Sequence, residues 1–293
     1  MPFANSKGVQ LYCEEAGKGF PIVFVHEFAG DLRSWEGQMR YFSRRYRCIA
    51  FNARGYLPSD VPAAVSQYSQ AIATDDIANV MRSLGVRKAH IIGCSMGGYA
   101  TLHFGLRYAG MARSLTVMGA GYGSDPDKRA QFLRDTEIMA RRFDQLGTPE
   151  AITTYQIGPA RVQLQNKDPR GFKELCEAFA DHSPLGSANT LRGVQARRPT
   201  IYNLARGLAR MSVPTHIISG DEDTQCLEPG VFIKRTCPAA RLTVVAATGH
   251  AVNIEEPDLF NRITDEFLSL VDSGRWRPRD PRSHSPSPRA RKA

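Results

Sequence analysis

No stretch of this sequence approaches the roughly 18 apolar residues that a membrane-spanning helix needs. The opening residues, MPFANSKGVQLYCEE, also lack the basic start and apolar run of a secretory leader. A soluble, unsecreted chain with no membrane span is expected. The cysteines Cys13, Cys48, Cys94, Cys176, Cys226 and Cys237 have neither C-x-x-C nor metal-like spacing, and a chain of 293 residues needs no disulfide staples. Reduced thiols in a cytoplasm are therefore expected. There is no H-E-x-x-H, and no G-x-G-x-x-G follows a first strand, so neither a metal nor an organic cofactor is expected. Nothing in the sequence bears on the oligomeric state.

What is present is a globular composition, 42% hydrophobic and 23% charged, with a net charge of +9. The charge is unevenly placed: residues 273–293 carry seven Arg and Lys against Asp280 alone and supply +6 of it. Pro, Ser and Arg without apolar periodicity cannot offset the entropy of ordering, so 273–293 is expected to be a disordered basic tail on a nearly balanced body. No specific nucleic-acid partner is expected.

Short apolar runs rich in β-branched residues alternate with segments of helical period, the sequence form of a mostly parallel sheet flanked by helices. The runs are PIVFVH, RCIAFN, HIIGCS, SLTVMG, THIISG and RLTVVAA, with VQLYCEEAG as an antiparallel edge. Helices are expected in SWEGQMRYFSRR, QAIATDDIANVMRSLG and MGGYATLHFGLRYAG, and from Glu256 and Pro257 to about Val271. From about Tyr122 to Met211 no buried strand is evident, only amphipathic stretches such as RAQFLRDTEIMARRFDQLG. A compact domain would not tolerate a loop of that length. The expected organisation is an α/β core of residues 1–121 and 212–272, with a helical cap at 122–211 lying over the C-terminal strand ends, where ligands bind in such sheets.

The strongest chemical signal is Gly93-Cys94-Ser95-Met96-Gly97, between the run AHIIG and a helical segment. G-x-S-x-G in that context is a nucleophile elbow: the turn strains the serine backbone, demands small neighbours and exposes the hydroxyl beside a helix N-terminus. A serine needs a base. His90 and His216 lie in strand runs, His103 on the helix after the elbow, His182 in the cap and His284 in the tail. His250 follows the last strand in a Thr-Gly-His turn, at the sheet's C-terminal edge. The acid that orients it should follow THIIS, where Asp221, Glu222 and Asp223 all stand; Asp125, after the preceding strand, is a further candidate.

These features resemble the α/β-hydrolase fold family, in its capped serine esterase, lactonase and carbon–carbon hydrolase group. The layout is similar to 3-oxoadipate enol-lactonases and meta-cleavage-product hydrolases over about Val9 to Val271. The order Ser95, Asp223, His250 is that of this family. The resemblance favours Asp223, three residues after Gly220, and matches its HGxxG loop to His26, Glu27, Phe28, Ala29 and Gly30. It thereby implies an oxyanion hole from the N–H groups of Phe28 and Met96. Two residues depart from the family pattern. Glu27 stands for a glycine beside the oxyanion hole, tolerable if it points away or pairs with a base such as Arg33 or Arg54. In NARGYLPSD, Asn52 and Leu57 replace an Asp and a Gly of a scaffolding loop. The implied activity is hydrolysis of a carboxylic ester or lactone of a small molecule through an acyl-enzyme. Carbon–carbon cleavage of a diketone-type acid, a cofactor-free perhydrolase or haloperoxidase, and a ligand receptor on a hydrolase scaffold are the alternatives.

Overall fold

The computed structural model describes residues 3–284. Eight strands form one sheet: β1 (Phe3–Ser6), β2 (Val9–Ala16), β3 (Phe20–Val25), β4 (Tyr46–Phe51), β5 (Ala89–Cys94), β6 (Ala112–Met118), β7 (Thr215–Gly220) and β8 (Ala240–Val245). Their spatial order is β1-β2-β4-β3-β5-β6-β7-β8. The first two pairings, β1 with β2 and β2 with β4, are antiparallel, and all others are parallel. The six apolar runs read from sequence are the six parallel strands, and VQLYCEEAG is the antiparallel β2; the short β1 went unread. Strands β5 and β7 are buried at every position, as continuous apolar runs covered on both faces must be. One buried cluster, including Ile91, Val117 and Leu102, fills one face of the sheet, and another, including Phe24, Trp35 and Phe260, fills the other.

Register decides where the chemistry goes. Val25 lies opposite Gly93, Cys94 opposite Met118, Met118 opposite Ile218, and Gly220 opposite Val245. The strands thus end level, and the loops holding His26 to Gly30, Ser95, Gly119, Asp221 to Asp223 and Thr248 to His250 leave the sheet along one edge.

The expected helices are Glu36–Phe42, Gln70–Ser83, Met96–Arg107 and Pro257–Asp272. A further helix, Thr224–Thr236, was not legible because Glu228-Pro229-Gly230 reads as a turn while Pro229 sits inside the helix. Between β6 and β7 the chain is helical, chiefly Arg129–Leu146, Pro169–Ala180 and Pro184–Thr190. The two ends of this segment are clasped together. Arg129 donates to the carbonyls of Gly123 (2.9 Å), Ala196 (2.9 Å) and Arg198 (3.1 Å), and Arg198 donates to Tyr122 O at 2.9 Å. A third cluster, including Phe28, Phe143, Ile152 and Phe179, packs the segment onto the strand-end loops.

The tail boundary expected at 273 needs correction. Trp276 packs on Phe267 with ring centroids 4.6 Å apart and donates its indole N–H to Ala239 O at 2.9 Å; Arg279 N–H reaches Pro238 O at 2.9 Å. One tryptophan offers enough apolar surface to dock a segment whose Pro, Ser and Arg content alone would leave it unfolded. Ordered contacts therefore continue past 273, and residues 285–293 of the expected tail lie outside the described residues. No described helix is long and apolar enough to cross a membrane, and the six cysteines are free thiols. Trp276→Ala is expected to lower the unfolding free energy by about 2 kcal/mol in denaturant titration, below the range for truncating a fully buried aromatic because the ring is only partly buried. An unchanged midpoint would show that the contact carries no stability.

Candidate active site

Ser95 has φ 53° and ψ −111°, outside the regions a side-chain-bearing residue prefers, which costs on the order of 1–3 kcal/mol. Its surroundings hold it there. Ser95 N–H donates to Met118 O at 2.8 Å, and the helix Met96–Arg107 begins directly after it. A Cβ at Gly97 would collide with the Val25 and His26 carbonyls, and one at Gly93 with the Gly97 backbone. The small residues thus let the elbow press against the end of β3. That contact brings the Phe28 loop beside the Met96 N-terminus of the helix. Tyr56 braces it, with its hydroxyl 3.1 Å from Phe28 O and 4.0 Å from Met96 Sδ.

The His26 ring is fixed at both nitrogens. Nε2 accepts from Ala53 N–H (3.0 Å), so Nδ1 carries the proton and donates to Glu27 O (2.7 Å). Burial pushes this imidazole down to about 4, keeping it neutral. Asn52 explains its own departure from the family pattern: Oδ1 accepts from Leu32 N–H at 2.8 Å while Nδ2 donates to Leu57 O at 2.6 Å. An ionised Asp could not make the second bond.

His250 Nδ1 lies 2.7 Å from Asp223 Oδ2, both residues buried. A carboxylate only accepts, so the proton sits on Nδ1 and Nε2 is left as the basic nitrogen. The imidazole also packs against Gly119, where a Cβ would come within 3.0 Å of it, and Gly119 directly follows the Met118 that holds Ser95. Ser95, His250 and Asp223 are therefore gathered at one point of the sheet edge. The neighbouring acids do other work. Asp221 accepts from Thr248 N–H at 3.1 Å and braces the histidine loop; Glu222 is exposed and bonds Gln163; Asp125 accepts from Asp127 N–H within its own turn. Of the other histidines, His90 meets Ser114 at 2.7 Å and His216 meets Thr243 at 2.8 Å inside the sheet.

Arg161 carried no sequence signal. It ends the turn Pro159–Arg161 in the helical segment, is buried, and its Nη2 forms an ion pair with Glu27 Oε2. The two bases considered for Glu27 are engaged elsewhere: Arg33 pairs with Asp31 (2.7 Å) and Asp181 (3.0 Å), and Arg54 with Asp76 at 2.7 Å. The same turn meets the histidine loop, where Ala160 O accepts from His250 N–H at 3.1 Å. Burial alone would raise the Glu27 carboxyl, but the guanidinium overrides it and holds Glu27 ionised. The charge beside the Phe28 N–H is thus neutralised by its partner. Around His250, burial disfavours the imidazolium, yet Asp223 outweighs it by charge and hydrogen bond, with Glu27 adding to the same effect, so its pKa lies above 6.5. Asp223 is held below its ordinary value, because His250 outweighs the opposing effect of burial.

Asp223, Cys226 and His250 come close enough together to suggest metal ligation. The geometry argues otherwise. Two ligands of a tetrahedral ion at ordinary bond lengths stand roughly 3.3 Å apart, whereas Asp223 and His250 are 2.7 Å apart, a hydrogen-bond distance.

The α/β hydrolase fold family model matches residues 21–257. The chain belongs to this family. It is 24% identical over 253 residues to 3-oxoadipate enol-lactonase 1 of Acinetobacter baylyi, covering 85% of this chain and 89% of the relative. It is 24% identical over 273 residues to the 2-hydroxy-6-oxononadienedioate/2-hydroxy-6-oxononatrienedioate hydrolase of Comamonas testosteroni, covering 90% and 94%. The crystal structure of the enol-lactonase from Burkholderia xenovorans LB400 superposes with a TM-score of 0.79 at 20% identity, covering 92% of this chain and all of that one. The resemblance read from the elbow and the order of strands is thereby confirmed at the level of family and fold.

Because a base must be neutral to accept a proton, activity that depends on His250 should fall as pH drops through a midpoint above 6.5. Asp223→Asn removes the larger of the influences that raise that pKa and leaves burial, so the midpoint should move down while turnover falls at least about a hundredfold. Asp221→Asn should keep the midpoint and stay within about tenfold in turnover by the same logic. Exchanged behaviour in kcat/KM pH profiles would make Asp221 the orienting acid.

Proposed function

We propose that the chain is a serine hydrolase that cleaves a carboxylic ester or lactone of a small molecule. The observation that carries this is the strained Ser95 bonded through its N–H to Met118, next to the Gly119 on which a buried His250 packs, with His250 Nδ1 held by Asp223. Ser95 Oγ attacks the carbonyl carbon as His250 Nε2 takes its proton, and the N–H groups of Phe28 and Met96 receive the oxyanion. The leaving alcohol takes the proton from His250, an acyl-Ser95 ester remains, and a water deprotonated by His250 releases the acid and restores the serine. Asp223 keeps the imidazole in the working tautomer and stabilises the imidazolium.

In this reading residues 1–121 and 212–272 are the core and 122–211 the cap, which excludes water and selects substrate. No cofactor takes part in these steps, and the free thiols suit a reducing cytoplasm. Carbon–carbon hydrolysis, the activity class named for the Comamonas relative, would use the same groups and is the second reading. A panel of short p-nitrophenyl esters, lactones and vinylogous diketones on the purified chain separates the two. Ser95→Ala is expected to lower turnover of the best substrate at least about a thousandfold with the fold intact by circular dichroism. Undiminished turnover would place the nucleophile elsewhere, and a wild-type protein that binds but never turns over would be a receptor.

A further inference from the structure

Two buried polar atoms at the centre have no hydrogen-bond partner: Glu27 Oε1, an acceptor, and Arg161 Nη1, a donor. They belong to one ion pair joining the Phe28 loop to the turn that holds His250 N–H. Glu27 is 2% and Arg161 4% exposed, so both lie out of bulk solvent. Buried polar atoms left open in this way call for an explanation, and the polar group of a ligand is one partner that would complete them.

We propose that the Glu27–Arg161 pair is the substrate-selecting subsite, admitting esters or lactones with an uncharged hydrogen-bonding group and turning away carboxylates. The inference rests on the hydrolase reading above. An amide or hydroxyl supplies both a donor for Glu27 Oε1 and an acceptor for Arg161 Nη1. A carboxylate has only acceptors. It would either lie beside the like charge of Glu27 in a water-poor site or take Arg161 for itself, leaving Glu27 buried and unpaired, and both are strongly unfavourable. Arg161 alone would be a carboxylate receptor; Glu27, standing where the family pattern has glycine, is its built-in counterion. Selectivity here works by repulsion as much as by fit. The names of the enol-lactonase and dioate hydrolase relatives denote acidic substrates, so the pair would set this chain apart from them.

The test uses three p-nitrophenyl esters of five-carbon acyl chains, ending in methyl, carboxamide or carboxylate, at pH 7.5 with the full chain. Ratios of kcat/KM cancel any difference in the fraction of folded enzyme. Wild type should favour the carboxamide over the carboxylate by about a hundredfold or more. Glu27→Gln, which frees Arg161, should shrink that ratio at least about tenfold, whereas Arg161→Met, which leaves Glu27 alone, should enlarge it. A merely structural pair would not move one ratio in opposite directions. Equal or better use of the carboxylate ester by wild type, or a ratio that neither variant moves, overturns the proposal. Should a variant fail to fold, the wild-type ratio and the remaining variant decide. Failure of wild type to turn over any of the three esters would instead count against the hydrolase reading, and the subsite would fall with it.

Discussion

The contact between the nucleophile turn and the end of β3 is the constraint on which the rest of the site depends. Gly97 lies against the Val25 and His26 carbonyls, and no side chain could stand between them. That closeness keeps Ser95 in its unfavourable backbone conformation, because relaxing the turn would push the helix Met96–Arg107 off the sheet and open the packed faces around Ile91 and Leu102. It also brings the two N–H groups assigned to the oxyanion together, from loops 68 residues apart in sequence numbering, Phe28 and Met96. A strain of a few kcal/mol is sustained by a core of many buried residues, which is how a folded protein affords a reactive geometry.

The helical segment adds the second constraint. One short turn, Pro159–Arg161, touches both halves of the site: Ala160 O holds the histidine loop and Arg161 neutralises Glu27. A carboxylate beside a developing oxyanion would oppose catalysis if it stood alone. Paired with a buried guanidinium, its charge is neutralised. The strand-end loops and the helical segment are therefore joined through one ion pair, and Arg129 and Arg198 clasp the base of the segment.

Much of this was legible without coordinates, for identifiable reasons. Parallel strands buried on both faces must be continuous apolar runs, so six of them could be read directly, and the elbow is a local pattern of small residues around a serine. His250 was legible because position after the last strand is a topological property. The choice of Asp223 over Asp221 was not a local matter: it depends on which carboxylate the loop turns inward, and Asp221 instead bonds Thr248 N–H. Arg161 was illegible because its partner lies 134 residues away and nothing in PARVQ marks a buried arginine. Composition misplaced the tail boundary because one Trp276 outweighs its Arg- and Pro-rich neighbours, and Asn52 looked like a defect until its two opposed hydrogen bonds explained it.

The central claim is that Ser95 is the attacking group, activated by His250. Peptide-mapped mass spectrometry after treatment with a small phosphonofluoridate tests it most directly. The account requires a single phosphonyl adduct, on the peptide carrying Ser95, formed more slowly as pH falls below the His250 midpoint. An adduct on another residue, or none on a protein that remains folded, would contradict it.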